Sequence, residues 1–315
     1  MKEARASATD VSSGSAGLVE TLHDNLPVTP DSLHRAFSLP SVPGANTQPA
    51  PGEGGQTAST QGDSLPPFTL LIPARDGDSR VGATVAQFSA AVQEWGNRCE
   101  ILVVTDGRSA PEQLTAYPRM LVRHVFLPEL LGKGGAILKG IGLAQYDTVA
   151  LMDADGPVSP DQLQLILSRL DGCAAVVGSR RAPGSLLLAP GPGVRRVASR
   201  GFNSLVRLVL RIPQSDTQCG VKVLKRSSVR SLLSRVAVWG FAFDASLLFH
   251  LHAAGLPVRE VGVEWHHRDG STVRLRRVVP KMFVSVLGIR LRNSPFGKYL
   301  PSDLVQTVRH WLNSP

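Results

Sequence analysis

An alternation beginning at Phe68 constrains this chain more than any other feature: short apolar runs are followed by longer stretches of helical period. "FTLLIPA" reads as a strand, "RVGATVAQFSAAVQEWG" as a helix, and "CEILVVTDG" as a second strand ending at Asp106. A third strand lies in "MLVRHVFLP", a glycine-led helix in "GKGGAILKGIGLAQ" and a fourth strand in "DTVALMDA". "SPDQLQLILSRL" is a helix opened by Ser159 as N-cap, and "AAVVGSR" a fifth strand. Strands and helices alternating at this spacing build an α/β fold, a mostly parallel sheet flanked by helices on both faces. Such sheets bind ligands at the carboxyl ends of their strands. Three of the runs end there in polar residues: Arg75 to Asp78, Asp106, and Asp153 with Asp155.

Beyond Arg181 the pattern changes. "GPGVRRVASRGFNSLVRLVLRI" reads as a basic, partly apolar helix and "SDTQCGVKVLKR" as a loop entering a short strand, followed by a helix in "FAFDASLLFHLHAAG" and a strand in "PVREVGVEW". The last pattern, "STVRLRRVVPKMFVSVLGIRLRN", puts Leu275, Val278, Val279, Met282, Phe283, Val286 and Leu287 on one helical stripe and Arg274, Arg277 and Lys281 on another. Pro280 is expected to interrupt or kink it.

Composition divides the chain. Residues 1–66 are crowded with Ser, Gly, Ala, Pro and Thr and hold few large apolar side chains. Such a segment cannot bury enough surface to offset chain entropy and is expected to be disordered. The working domain is expected over residues 67–296, about the usual size of one α/β domain, with a C-terminal tail over 297–315. Cys99, Cys173 and Cys219 are scattered without metal-ligand spacing, which fits a reducing compartment. No signal peptide is evident, and the longest apolar candidate, "VVPKMFVSVLGI", is too short to span a bilayer and carries Lys281. The expectation is a cytoplasmic protein, at most peripheral on the inner face of the cell membrane. The formal charge of +9 calls for an anionic partner. Nucleic acid is disfavoured, because aromatic residues are few and no recognition motif accompanies the charge.

The chemistry starts from Asp153 and Asp155. Carboxylates at i and i+2 leaving a strand can share one hard cation, Mg²⁺ or Mn²⁺, which keeps open positions for diphosphate oxygens; a solvated turn is the competing reading. "GKGGAILKG" sets Lys133 among glycines at a helix start, where backbone N–H groups and the helix dipole favour phosphate, or else forms a simple turn before a core helix. It is not a P-loop, because the G-x-x-x-x-G-K-[ST] order is absent. Asp106 either accepts hydrogen bonds from a nucleoside or caps a helix. No G-x-G-x-x-G follows the first strand, against a dinucleotide fold. His266 and His267 lack correctly spaced partners and read as loop residues.

Taken in order, "LLIPARD", "EILVVTDG", "GKGGAILKGI", "VALMDADG", "VVGSR", "DTQCGVKVLKR", "FAFDASLL" and "VGVEWHHRDGSTV" resemble glycosyltransferase family 2 over about residues 68–292. Within it the chain is most similar to the polyprenyl (dolichyl)-phosphate glucosyl- and mannosyltransferases. "DADG", "DTQCG" and the set Trp239, Phe243, Asp244, Leu247 and Leu248 favour the glucosyl branch. The resemblance implies a GT-A fold and metal-dependent, inverting transfer of a hexose from a nucleotide sugar to a polyprenyl phosphate. UDP-glucose is the favoured donor and GDP-mannose the second. It implies Asp153 and Asp155 as the metal and diphosphate site, Asp106 as a nucleoside contact, and Lys133 with Gly134 beside the donor. Pro73 and Arg75 close the first strand at the donor side. Arg180, Asp216 and Gln218 line the sugar and acceptor side, with Asp244 near them. Two departures from the family pattern stand out: Arg75, Asp76 and Gly77 replace a common Tyr-Asn-Glu, and Thr105 replaces the first of two aspartates.

The acceptor has its own logic. A hydroxyl must lose a proton during attack and wants a general base; a lipid phosphate is already anionic and needs positioning by cations. Arg180, Arg181, Arg195, Arg196 and Arg200 are candidate cations, and Asp216 or Asp244 would be the base for a hydroxyl acceptor. The segments Ser199 to Ile212 and Thr272 to Arg292 offer a basic, apolar surface for an anionic membrane, or are simply helices packed on the sheet. A soluble acceptor and a non-catalytic nucleotide-sugar binder are the alternatives.

Overall fold

The structure, a computed structural model, describes residues 18–23, 65–75, 77–107, 120–128, 130–188, 193–236, 242–266, 275–299 and 301. Most of 1–66, Asp76, Trp239, His267 and nearly all of the tail from 300 lie outside the described residues, as do the side chains of Arg195 and Arg196.

The strands are β1 (Leu18–His23), β2 (Phe68–Arg75), β3 (Cys99–Asp106), β4 (Leu121–Leu127), β5 (Thr148–Met152), β6 (Ala175–Ser179), β7 (Leu186–Leu187), β8 (Val221–Lys225), β9 (Val258–Gly262) and β10 (Glu264–Trp265). The helices are α1 (Arg80–Trp95), α2 (Gly132–Leu143), α3 (Pro160–Ser168), α4 (Gly193–Leu210), α5 (Arg226–Leu233), α6 (Ala242–Ala253) and α7 (Leu275–Arg292), with a 3-10 turn at Pro295–Tyr299. The main sheet has the order β1-β4-β3-β2-β5-β8-β6-β9, and β7 pairs with β10 in a separate ribbon. All neighbours in the main sheet run parallel except β8, which is antiparallel to both β5 and β6.

The period of two along each strand sorts the core into two layers. On β2, β3 and β5, Leu71, Leu102, Val104, Val149 and Leu151 join the layer that also holds residues of α2, α4, α5, α6 and α7. Leu70, Ile72, Ile101, Val103, Ala150 and Met152 join the layer beneath α1 and α3. Continuing this parity past the strand ends sends Asp106 and Asp153 toward α2, and Thr105 toward the opposite layer. The sheet order changes direction at β2: β3 and β4 extend one way and β5 the other, which opens a crevice at the carboxyl ends. Pairing of β2 with β5 stops at Leu71, so the buried Pro73 lies beyond that ladder and its missing N–H costs no β2–β5 bond.

Three expectations need correction. Leu18–His23 is a strand, pairing with β4 from Leu18↔Leu121 to His23↔Phe126. Backbone pairing to an otherwise open sheet edge does not require the large side chains whose scarcity suggested disorder. Helix α5 and strand β7 are additional elements; α5 buries Val229, Leu232 and Leu233, spaced i, i+3 and i+4. Pro280 does not interrupt helix α7, which runs through it; proline removes a single helical hydrogen bond there, while Val286 and Ile289 anchor the helix in the core. Finally, the single apolar stripe splits: Met282 and Val286 face the core, whereas Val279, Phe283 and Leu287, continued by Leu291, are exposed. Among the described residues no helix is long and apolar enough to cross a membrane.

Candidate active site

Strand β5 ends at Met152, and Asp153 follows it on the α2 side, as its parity requires. Lys133, in the first turn of α2, reaches across: its Nζ is 2.8 Å from Asp153 Oδ1 and 3.5 Å from Asp244 Oδ2. Asp244 lies in the first turn of α6 and is buried; its other oxygen accepts a hydrogen bond from Lys222 Nζ at 2.7 Å. Lys222 is itself buried in β8 and also donates to the carbonyl of Cys219 at 2.5 Å. Burial works against charge at both Lys133 and Asp244, but the opposite charges outweigh it. Lys133 is held above the ordinary lysine range by Asp153 and Asp244, and Asp244 below the ordinary carboxylate range by Lys133 and Lys222.

Strand β8 begins where β5 ends, with Val221 opposite Met152. Gly220, just before it, lies against Asp153: a Cβ there would overlap the Asp153 carboxylate. Asp155, one turn residue further, faces Arg80 of α1, whose Nη1 is 3.6 Å from Asp155 Oδ2 while its Nε and Nη2 bind Asp78 at 2.8 and 2.7 Å. Burial and the neighbouring Asp153 charge raise the Asp155 pKa. Among the described residues no group of three His, Cys, Asp or Glu side chains converges. The protein therefore offers two carboxylates on one turn, backed by a glycine that leaves room for Asp153. That donor set fits a hard divalent ion that completes its shell with water and diphosphate oxygens.

Asp106 makes a hydrogen bond at the start of a helix. Its Oδ2 accepts the Gly132 N–H at 2.5 Å, tying the carboxyl end of β3 to the start of α2, and burial raises its pKa. Gly132 has φ of 66°, a left-handed conformation that glycine adopts without strain. Thr105 points into the other layer, where its hydroxyl pairs with His124 Nε2 at 2.8 Å. The exposed Arg75 ends β2 beside Asp106, whose carboxyl feels its charge. Gly134 is buried in the first turn of α2, next to Lys133.

The second half of the site gathers at the end of β6. Arg180 grips Asp216 with three donors: its backbone N at 3.1 Å, Nε at 2.7 Å and Nη2 at 2.9 Å. Its guanidinium also lies 5.0 Å from the centre of the Trp265 ring. Burial opposes the Asp216 charge, but Arg180 holds its pKa below the ordinary carboxylate value. The loop carrying Asp216 is clamped from two sides. Glu260 of β9 accepts hydrogen bonds from Ser215 N, Ser215 Oγ and Asp216 N at 2.9, 2.6 and 3.0 Å. Asn203 of α4 donates to Ser215 O at 2.7 Å and accepts from Thr217 N and Oγ1, both at 2.9 Å. Gln218 N donates to Asp216 Oδ1 at 3.3 Å, closing the turn. Arg181 is exposed beside this pair; partial burial lowers its pKa, Asp216 opposes that, and the charges of Arg180, Arg200 and Arg207 add to it.

Asp153, Asp244 and Lys133 thus form one ion-paired group, Arg180, Asp216 and Gln218 a second, and Asp106 braces the first from behind. Sequence reasoning missed Lys222, Arg80, Glu260, Asn203 and Trp265. Lys222 had a signal, a lysine inside the apolar run "GVKVL"; Glu260 and Asn203 had none, being ordinary polar residues in an alternating strand and a basic helix.

Residues 69–233 match the family model described as "Glycosyl transferase family 2". The dolichyl-phosphate beta-glucosyltransferase of Drosophila melanogaster is 30% identical over 224 residues, covering 65% of this chain and 68% of that protein. The Homo sapiens protein of the same name is 31% identical over 248 residues, covering 71% of this chain and 75% of that protein. Among solved structures, mannosyl-3-phosphoglycerate synthase from Rubrobacter xylanophilus superposes with a TM-score of 0.51 at 18% identity, covering 76% of this chain and 77% of that one, a likeness of fold.

Proposed function

The chain belongs to glycosyltransferase family 2 and has the GT-A fold, and from that premise we propose that it moves glucose from a UDP-linked donor to a polyprenyl phosphate with inversion at the anomeric carbon. Asp153 and Asp155 would hold Mg²⁺ or Mn²⁺. When bound, that ion supplies charge stabilisation for the departing nucleoside diphosphate. Lys133 binds diphosphate oxygens, and Arg75 and Asp106 lie on the nucleoside side. Arg180 and Asp216 shape the sugar and acceptor side, where the acceptor phosphate meets the patch of Arg181, Arg200 and Arg207. In the transfer an acceptor phosphate oxygen forms a bond to the anomeric carbon as the carbon–oxygen bond to the diphosphate breaks, and the electron pair leaves with the diphosphate.

The observation that carries the acceptor class is the state of the two carboxylates that would serve as base for a hydroxyl acceptor, Asp216 on the acceptor side and Asp244 beside Lys133. Asp216 and Asp244 are both bound by cations and held below the ordinary carboxylate range. Such groups are poor proton acceptors near neutral pH. An acceptor that arrives already ionised needs no base, and a phosphate beside Arg181 meets that condition. The outward row Val279, Phe283, Leu287 and Leu291, with the exposed Phe296 and Tyr299 beyond it, supports attachment to a membrane that holds such an acceptor. Exposed Arg290, Arg292 and Lys298 beside that row suit an anionic leaflet.

The test offers radiolabelled UDP-glucose and GDP-mannose with polyprenyl phosphate, and separately with soluble phosphorylated and hydroxyl acceptors, with and without Mn²⁺. Label from UDP-glucose should enter the organic phase only when lipid phosphate is present. Label confined to a water-soluble product would overturn the lipid acceptor, and label from GDP-mannose alone would overturn the donor.

A further inference from the structure

Resting on the metal reading above, we propose that Lys133 competes with the divalent ion for Asp153, so that the ion binds tightly only together with the donor's diphosphate. Three features carry this. First, the Lys133 ammonium sits directly on one of the two carboxylates offered to the metal, at 2.8 Å. Second, Lys133 has another anionic partner within reach: Asp244 lies 3.5 Å away, so the ammonium can release Asp153 without being stranded. Third, Asp244 is separately held by Lys222 at 2.7 Å, so the buried carboxylate stays paired when Lys133 moves.

The charges explain the coupling. Lys133 and Lys222 balance Asp153 and Asp244. A divalent ion arriving alone would add two positive charges beside an ammonium whose partner it takes, and like charges this close repel. A diphosphate arriving with it restores the balance and gives the displaced ammonium phosphate oxygens to bind. Lys133 then adds to the coupling that the diphosphate oxygens on the ion already give, and the coupling is reciprocal.

The experiment is Mn²⁺ binding to the purified full chain, read by the electron-paramagnetic-resonance signal of free Mn²⁺, with and without UDP. It uses the wild type, Lys133→Gln, Lys133→Ala and, as a control, Asp153→Asn. For the wild type, UDP should tighten Mn²⁺ binding at least tenfold. In the Lys133 variants Mn²⁺ alone should bind at least tenfold more tightly than it does to the wild type, and UDP should tighten it further by a smaller factor than in the wild type, the part that comes from its oxygens on the ion. Asp153→Asn should lose binding in every condition. Equal Mn²⁺ affinity for the wild type with and without UDP overturns the competition but leaves the metal site standing, as does a Lys133 variant that binds Mn²⁺ alone no better than the wild type. Absence of Mn²⁺ binding to all proteins, UDP included, overturns the metal reading itself and the competition with it. If one Lys133 variant fails to fold, the other and the wild-type UDP effect still decide.

Discussion

Gly220 and Asp153 are packed so closely that the space a side chain at position 220 would need is taken by the Asp153 carboxylate. The contact is between the last residue before β8 and the first after β5, two strands that meet at Val221 and Met152. It makes the position of the carboxylate a property of the backbone.

Gly220→Ala should therefore displace Asp153 while leaving most of the fold intact. Displacements of about 1 Å at reacting groups can cost roughly 10²-fold in rate. Turnover should fall by about that factor, with a much smaller change in melting temperature. Steady-state kinetics set beside a thermal melt check it, and wild-type kcat in the alanine variant would show that the carboxylate position is not needed.

Asp153→Asn and Asp155→Asn should each lower kcat by about 10²-fold or more, the scale of losing a group that stabilises developing charge. Circular dichroism should be unchanged. Asp153→Asn also leaves Lys133 with only Asp244, and Asp155→Asn leaves Arg80 its closer partner, Asp78. Wild-type turnover in both variants would remove these residues from the site.

Glu260→Gln puts an amide donor where three donors now converge. Leaving buried donors unsatisfied costs about 1–3 kcal/mol, and the Asp216 loop should loosen. Acceptor KM should rise several-fold more than donor KM, because Glu260 holds Asp216 and lies apart from Asp153. Equal effects on both substrates would place its role elsewhere.

A pH effect on stability should come from α6. His250 and His252 have pKa values lowered from 6.5, chiefly by burial, with Arg235 and Arg292 adding repulsion at His250. Below pH 6.5 the unfolded chain binds protons that the folded one refuses, so stability is complete above that value and falls as pH drops toward the folded pKa values. The melting temperature should decline on acidification from pH 7.5, and a His250→Gln, His252→Gln double variant should flatten the slope. Asp106 and Asp155, with raised pKa values, contribute with the opposite sign in both proteins and cancel in the comparison.

Phe283→Glu with Leu287→Glu tests the outward row of α7. Both side chains are exposed, so the fold should tolerate the change. Sedimentation with anionic vesicles at low salt should be lost in the variant and, in the wild type, weakened by high salt. Vesicle binding equal to wild type would dismiss this row as the contact.

Much of this architecture was legible in the sequence because period carries so much of it. Alternation along β2, β3 and β5 gives the strands and the two core layers, and carried one step further it sends Asp153 toward Lys133. The role of Asp106 was legible only as a choice between a nucleoside contact and a cap, since the Gly132 N–H it binds is 26 residues away. The direction of β8 was not legible, because "GVKVLKR" reads the same whichever way it pairs. Glu260 was hidden for a similar reason: its partners lie 44 and 45 residues away, and only the folded sheet brings β9 beside the Asp216 loop. The stripe on α7 misled because two apolar rows, one packed and one bare, lie within a single helical face.

The reversed strand has a further consequence. Because β8 runs against its neighbours, the loop that precedes it reaches the same rim as the ends of β5 and β6, and it does so between them. Residues 215–220 are thus a wedge whose one side abuts Asp153 and whose other side is clasped by Arg180. One short loop therefore touches both ion-paired groups at once, and a change in it is felt at Asp153 and at Arg180 together, while β2, β3 and β5 keep their register. One topological irregularity makes a single loop the seam between the two halves of the site.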